Sequence, residues 1–210
     1  MKKEMNPKTP TPKQPYHHGD LRRALLDAAE AELAEKGVEG FTLRGCAKRA
    51  GVSHAAPAYH FKDANALLTA LATIGFERLN RSMTSRQHAE RGDPRQDLVA
   101  AGVGYVAFAR DNPMLFKLMF GSERPSSEDS DLVQHASGAF ATLVNGVRDI
   151  RGDDPMADAD GLKDIAAAWS IVHGIANLLI AGRMGFLQPL LERDPETVLA
   201  DIIERSLPQQ

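Results

Sequence analysis

The chain has a single cysteine, Cys46, among its 210 residues. An intrachain disulfide is therefore excluded, and a reducing cytoplasm is the expected setting. Long apolar runs are lacking too. The longest, Ile175 to Ala181, is interrupted by Asn177 and falls far short of the ~20 residues a membrane span needs. The N-terminus is polar and broken by prolines, without the apolar stretch of a secretory signal. Catalytic signatures are also missing: there is no Gly-x-Ser-x-Gly elbow, P-loop or dinucleotide fingerprint. His17 and His18 are adjacent, but no cysteine or second histidine cluster stands at metal-ligand spacing. Glu30, Glu32 and Glu35 read as a solvated helix face rather than an acid/base pair. No metal, cofactor or enzymatic activity is expected.

What is present is a lopsided charge. The net charge is −3, yet residues 1–62 hold 11 Lys/Arg against 7 Asp/Glu, while residues 63–210 hold 14 against 21. A basic first third beside an acidic remainder fits a chain that meets a polyanion at one end. Part of that charge lies in residues 1–15, where Lys2, Lys3, Lys8 and Lys13 alternate with Pro7, Pro10, Pro12 and Pro15. This stretch reads as a disordered basic leader, either an arm for DNA phosphates or a solvated tail.

Helical periodicity follows. Asp20 is an N-cap candidate for a helix running to Lys36 and closed by Gly37, with Leu21, Leu25, Ala28, Ala29 and Leu33 as its apolar face. Thr42 to Phe61 reads as two short helices around a tight turn. Thr42 caps the first, Leu43, Cys46 and Ala47 form its buried face, Gly51 supplies the left-handed turn residue, and Ser53 caps the second. These are the elements of a DNA-reading helix-turn-helix, and equally of an ordinary helical hairpin. Asp63 then caps a long fourth helix carrying Leu67, Leu68, Leu71, Ile74 and Leu79.

The flanking residues separate the two readings. Leu25, Ala28, Ala29, Gly37, Phe41-Thr42-Leu43, Ala47, Ala50-Gly51-Val52-Ser53, Tyr59-His60-Phe61 and Leu67 resemble, in order and spacing, the DNA-binding domain of TetR (tetracycline-repressor-like) bacterial regulators. The resemblance spans Tyr16 to Leu79, about a third of the chain. Two positions depart from it: Ala58 stands where the family has an aromatic residue, and Ala64 where it has lysine, both phosphate contacts. Pro57 would also crowd the first turn of a helix capped by Ser53. Weaker phosphate anchoring is the expectation, with Lys62 and Tyr59 as partial substitutes.

After a polar stretch from Thr84 to Pro94, apolar faces repeat in helices over about 95–110, 114–120, 132–150, 162–184 and 195–207. Trp169-x-x-x-His173-Gly174, with Asn112-Pro113 and Leu118-Met119-Phe120, is similar to the C-terminal domain of the TetR branch named for its Trp-His-Gly signature. That resemblance implies a ligand-sensing, dimerising domain. His173 is either a core histidine bonded to a neighbour or a ligand contact. Gly174 and Gly182 are read as sites of close helix packing.

The expected fold is all-α with about nine helices: a three-helix head, a linking helix, and a helical body. The expected divisions are 1–15, 16–79 and 80–210. Base or phosphate contacts fall to Thr42, Arg44, Ser53, His54, Ala55, Tyr59, His60 and Lys62. The candidate ligand pocket comprises Phe108, Met114, Phe116, Met119, Phe120, Phe140, Trp169 and His173, with Met184 nearby. The partners implied are an operator duplex, a small apolar effector, and a second copy docked through helices 162–184 and 195–207. The rival expectation is a small-molecule-binding protein with weakened or lost DNA binding.

Overall fold

The structure, a computed structural model, describes residues 18–87 and 92–207, with side chains from Leu21 onward. The basic leader and His17 lie outside the described residues. Helices account for the regular structure, with no strand among the described residues.

Helix α1, His18–Lys36, begins two residues before Asp20, so Asp20 sits inside the helix rather than capping it. Gly37 ends it at φ +68°, a left-handed conformation that costs glycine little. Helix α2, Leu43–Arg49, starts where Thr42 Oγ1 accepts a hydrogen bond from the Gly45 N–H at 3.0 Å. Gly51, at φ +69°, turns the chain.

The expected second helix of the motif is not an α-helix. Ser53 caps nothing, residues 53–56 form turns, and only a single 3-10 turn, Pro57–Tyr59, follows. Pro57 is fully buried and lacks an N–H, so no α-helical hydrogen bond can be donated from its position. Its carbonyl instead accepts from His60 at 3.0 Å and Phe61 at 2.9 Å. The three-helix head is thus two α-helices and a 3-10 turn.

Helix α3, Ala64–Thr84, is capped by Asp63 through the Ala66 N–H and spans roughly 30 Å. One face, including Leu67, Leu68 and Leu71, is buried with the head. The body follows as α4 (Pro94–Asp111), α5 (Pro113–Gly121), α6 (Ser130–Arg151), α7 (Ala159–Ile180), α8 (Gln188–Arg193) and α9 (Pro195–Ser206). Helix α4 is the central strut, buried without interruption from Leu98 to Ala109 apart from half-exposed Ala100. It crosses α3 at Gly104, whose carbonyl accepts from Ser82 Oγ at 2.9 Å; a Cβ there would overlap the Ser82 backbone.

The helix expected to reach Met184 ends at Ile180. Gly182 adopts φ +67° and Arg183 N–H returns to the Leu178 carbonyl, closing the helix, and the short α8 follows a 3-10 turn. Gly182 is therefore a helix stop, not a packing site, and a Cβ on Gly174 would meet nothing within 4 Å. One core runs continuously from Leu25 and Phe41 through Leu71 to Phe116 and Ala176, joining head to body. A second gathers Leu98, Val147, Ile165, Leu199 and Ile203. No single helix among the described residues is long and apolar enough to cross a membrane.

Candidate nucleic-acid interface and ligand cavity

In the head, the sequence-derived DNA contacts separate by their surroundings. Arg44, Ser53, His54, Ala55 and Lys62 are exposed, and so is Tyr59, at 82 %. Thr42 is also exposed, but its oxygen is engaged in capping α2. His60 is half-buried beside Tyr59, with ring centroids 5.7 Å apart. Its Nε2 is shut off from solvent without a hydrogen-bond partner among the described residues, so that atom does not face a phosphate.

The cations of the head fall into two groups. Arg49 is spent internally, its guanidinium on the Glu32 and Glu35 carboxylates of α1. Arg44, Lys48 and Lys62 have no ion pair among the described residues and are open to solvent. Lys48 escaped the sequence reading, although its place in the last turn of α2 next to the Gly51 turn was a usable signal. Of the carboxylates read as a solvated face, Glu35 is exposed but Glu30 and Glu32 are not free. Glu32 is buried, and Glu30 makes a two-pronged bond to Arg78 of α3, at 2.5 and 2.9 Å. Glu30 and Glu32 fasten α1 to its neighbours.

The body encloses a cavity of about 370 Å³, walled by α3, α4, α6 and α7 and closed by the α9 end. Such a volume lies in the range of small-molecule sites. Phe76, Leu79 and Met83 line it from α3, Leu98, Ala101, Gly102 and Tyr105 from α4, and Phe120 from α5. Helix α6 adds Ala136, Ser137, Ala139, Phe140, Thr142 and Leu143, α7 adds Ala168, Trp169, Ile171 and Val172, and Ile203 and Leu207 complete it. No charged side chain is among them.

Of the residues expected to form a pocket, Phe120, Phe140 and Trp169 line this cavity. Phe108 and Phe116 do not: both are buried in the core that joins head and body. Met114 packs toward Gly37 at the end of α1, and Met119 fills the space over Gly75 of α3. Met184 joins the second core. Soft apolar side chains cannot be sorted into core and cavity by sequence, because both need the same chemistry. Phe76, Leu79 and Met83 were legible in principle, since their i, i+3, i+7 spacing marks a second stripe on the linking helix.

His173 stands behind the wall. The Tyr105 hydroxyl and His173 Nδ1 share a hydrogen bond at 2.8 Å, and the imidazole lies among the rings of Phe116, Phe120 and Trp169, 5.3–6.4 Å away. Burial pushes the Tyr105 phenol well above its usual pKa and the His173 imidazole below its own. Phenol and imidazole are thus both neutral near pH 7.

Hydrogen bonds tie α6 and the α5–α6 segment to α3 and the head. Thr142 Oγ1 donates to Asn80 Oδ1 at 2.8 Å, tying α6 to α3. Beyond α5, Arg124 donates to the Val38 carbonyl of the α1–α2 turn at 2.5 Å and to Asn65 Oδ1 at 3.0 Å. Ser126 N–H bonds Thr69 Oγ1 on α3 at 2.9 Å.

The chain matches two families. Residues 25–71 match "Bacterial regulatory proteins, tetR family", and residues 98–205 match "Tetracyclin repressor-like, C-terminal domain"; neither description singles out the Trp-His-Gly branch. Among similar proteins, the HTH-type transcriptional regulator BetI of Burkholderia ambifaria is 37 % identical over 190 residues, covering 77 % of this chain and 95 % of that protein. The tetracycline repressor protein class D of Escherichia coli is 32 % identical over 96 residues, 46 % of this chain and 38 % of that one. A solved structure of a Rhodococcus sp. RHA1 protein of unknown function superposes with a TM-score of 0.73 at 35 % identity, covering 94 % of this chain and all of that one.

Proposed function

The chain belongs to the TetR family of bacterial regulatory proteins and is a ligand-responsive DNA-binding regulator of transcription, and within that class we propose that it is a dimeric repressor, without enzymatic activity, released from a palindromic operator by a small apolar molecule. The observation that carries this reading is α3. The same helix that seats the head through Glu30–Arg78 supplies Phe76, Leu79 and Met83 to the cavity wall. A ligand filling the cavity therefore touches the lever that positions the DNA-reading surface.

On DNA, Arg44 is suited to guanine or phosphate, His54 and Ser53 to hydrogen bonding, and Ala55 to a thymine methyl. Tyr59, Lys48 and Lys62 are suited to phosphates. Dimerisation supplies two heads to successive major grooves, ~34 Å apart. The outer face of α7 suits a second copy: Ala167, Ser170, Gly174, Asn177, Leu178 and Ala181 recur at near-heptad spacing, and the open space over Gly174 lets a helix approach closely. Beside it, Leu178, Phe186 and Leu190 are exposed by 47, 77 and 51 %. Helix α9 buries Leu199 and Ile203 within its own subunit, so α7 with α8 is the larger share of this surface. The ligand acts by population shift, favouring the arrangement in which the heads no longer match groove spacing.

Selection of bound sequences from random duplex DNA tests the regulator reading. The expected product is an inverted repeat with half-sites about one helical turn apart. Enrichment of no sequence would defeat it. One observation favours the rival, a ligand-binding protein with reduced grip on DNA: the 3-10 turn in place of a recognition helix, with Ala58 at its centre and Ala64 beyond it. General loss of duplex affinity, with ligand binding intact, would select that rival.

A further inference from the structure

The chain is only 6 % aromatic, with 8 Phe, 3 Tyr and 1 Trp, yet Phe76, Tyr105, Phe120, Phe140 and Trp169 all line the one cavity. Their rings fall into two groups. Phe140 and Trp169 lie 6.0 Å apart, Tyr105 and Phe120 6.0 Å, and Phe76 and Phe120 5.3 Å edge-to-face. The first pair forms the mouth between α6 and α7, since both residues line the cavity while remaining 40 % exposed. The last pair forms the junction between α5 and α3.

No lining residue carries a charge, and of the three lining hydroxyls two are already committed, Tyr105 to His173 and Thr142 to Asn80, leaving Ser137 as the one open to a ligand. An ion entering this space would lose its hydration with no counter-charge to replace it. An alkyl chain would lose nothing, but it would also forgo the offset and edge contacts that ring partners favour.

We propose that the cavity takes an uncharged, planar aromatic molecule, which enters past the Phe140–Trp169 pair and seats against the Phe76–Phe120 pair. This rests on the cavity being the effector site. The seat explains how occupancy reaches the head: Phe76 belongs to α3, which bears the head, and Phe120 to α5, which leads directly to Arg124 and its hold on Val38 and Asn65. Spreading this ring pair displaces two elements anchored in the head.

Trp169 is the only tryptophan and stands at the mouth, so its fluorescence reads occupancy directly. The test uses the full chain without DNA and the neutral probe N-phenyl-1-naphthylamine, compared with its anionic relative 8-anilinonaphthalene-1-sulfonate. Benzyltrimethylammonium and 1-decanol serve as competitors. The expected result is energy transfer from Trp169 to the neutral probe, at least about tenfold weaker binding of the sulfonate, no displacement by the cation at matched concentration, and displacement by the alcohol only at about two- to tenfold higher concentration. Phe120→Leu, confirmed folded by circular dichroism, weakens the neutral probe about two- to tenfold. Should that variant fail to fold, Phe140→Leu at the half-exposed mouth gives the same comparison.

Equal binding of the sulfonate, displacement by benzyltrimethylammonium, or displacement by decanol at concentrations no higher than those of the probe would each overturn the assignment. So would unchanged affinity in a folded ring-to-leucine variant. Release of DNA is measured separately with the selected duplex, so a failure of the regulator reading leaves the probe result standing, and the converse holds.

Discussion

Arg49 of α2 closes on Glu32 of α1, with Nε at 3.1 Å and Nη2 at 3.0 Å from the same carboxylate oxygen. Gly45 makes room for this, because a Cβ there would overlap the Glu32 carboxylate. The pair welds the two helices of the head and removes Arg49 from any role on DNA. Glu32→Ala should lower stability by about 1–3 kcal/mol, as loss of a charge-assisted bond to a buried carboxylate does. Gly45→Ala should also destabilise, by expelling that carboxylate from its seat. Urea unfolding of both variants checks this, and wild-type midpoints for both would contradict the account.

Cys46 should be inert in the folded protein. It is fully buried, and burial, reinforced by Glu32, pushes its thiol up to about 11. Thiolate is the reactive species, so a maleimide at pH 7 has almost nothing to attack. Labelling is expected to rise in step with the unfolded fraction across a urea series; fast stoichiometric labelling of native protein would refute this.

His173 gives stability a defined pH dependence. Burial lowers its pKa from 6.5, so the folded state favours the neutral ring. The associated stability is fully present above pH 6.5 and is lost as pH falls through the lower folded value. The melting temperature should therefore fall from pH 7 toward pH 5, and His173→Phe should flatten that slope. An equally steep slope in the variant would place the titration elsewhere.

Arg124→Ala should separate ligand binding from DNA release. Its bonds to Val38 and Asn65 hold the α5–α6 loop on the head, and it takes no part in lining the cavity. Ligand affinity is expected to stay within about twofold, while the ligand-induced loss of DNA affinity shrinks by about 0.5–2 kcal/mol. Fluorescence anisotropy of the selected duplex, with and without a ligand that releases the wild-type protein, decides between these outcomes.

Two substitutions probe grip on the duplex. Lys62→Ala should weaken binding to all sequences and reduce the salt slope by about one. Ala58→Tyr should tighten binding irrespective of sequence, since Ala58 is exposed on the 3-10 turn beside Tyr59. Titration at several salt concentrations measures both, and a sequence-selective change in either would reassign that position to base reading.

Local chemistry determined much of this protein by sequence alone. Thr42 and Asp63 cap α2 and α3 because their side-chain oxygens meet an N–H three residues on. Gly37 and Gly51 turn the chain because glycine tolerates positive φ. The order and spacing of these short-range features made the family recognisable.

Tertiary structure decided what depends on distant partners. Pro57 shortened the motif's second helix to a 3-10 turn once its ring was buried, a choice that no periodicity encodes. Glu32 became a buried ion-pair partner only through Arg49, 17 residues away. Phe116 and Phe120, four residues apart on one helix, fell to core and cavity wall respectively, because that division is set by what α3, α4 and α7 place opposite them.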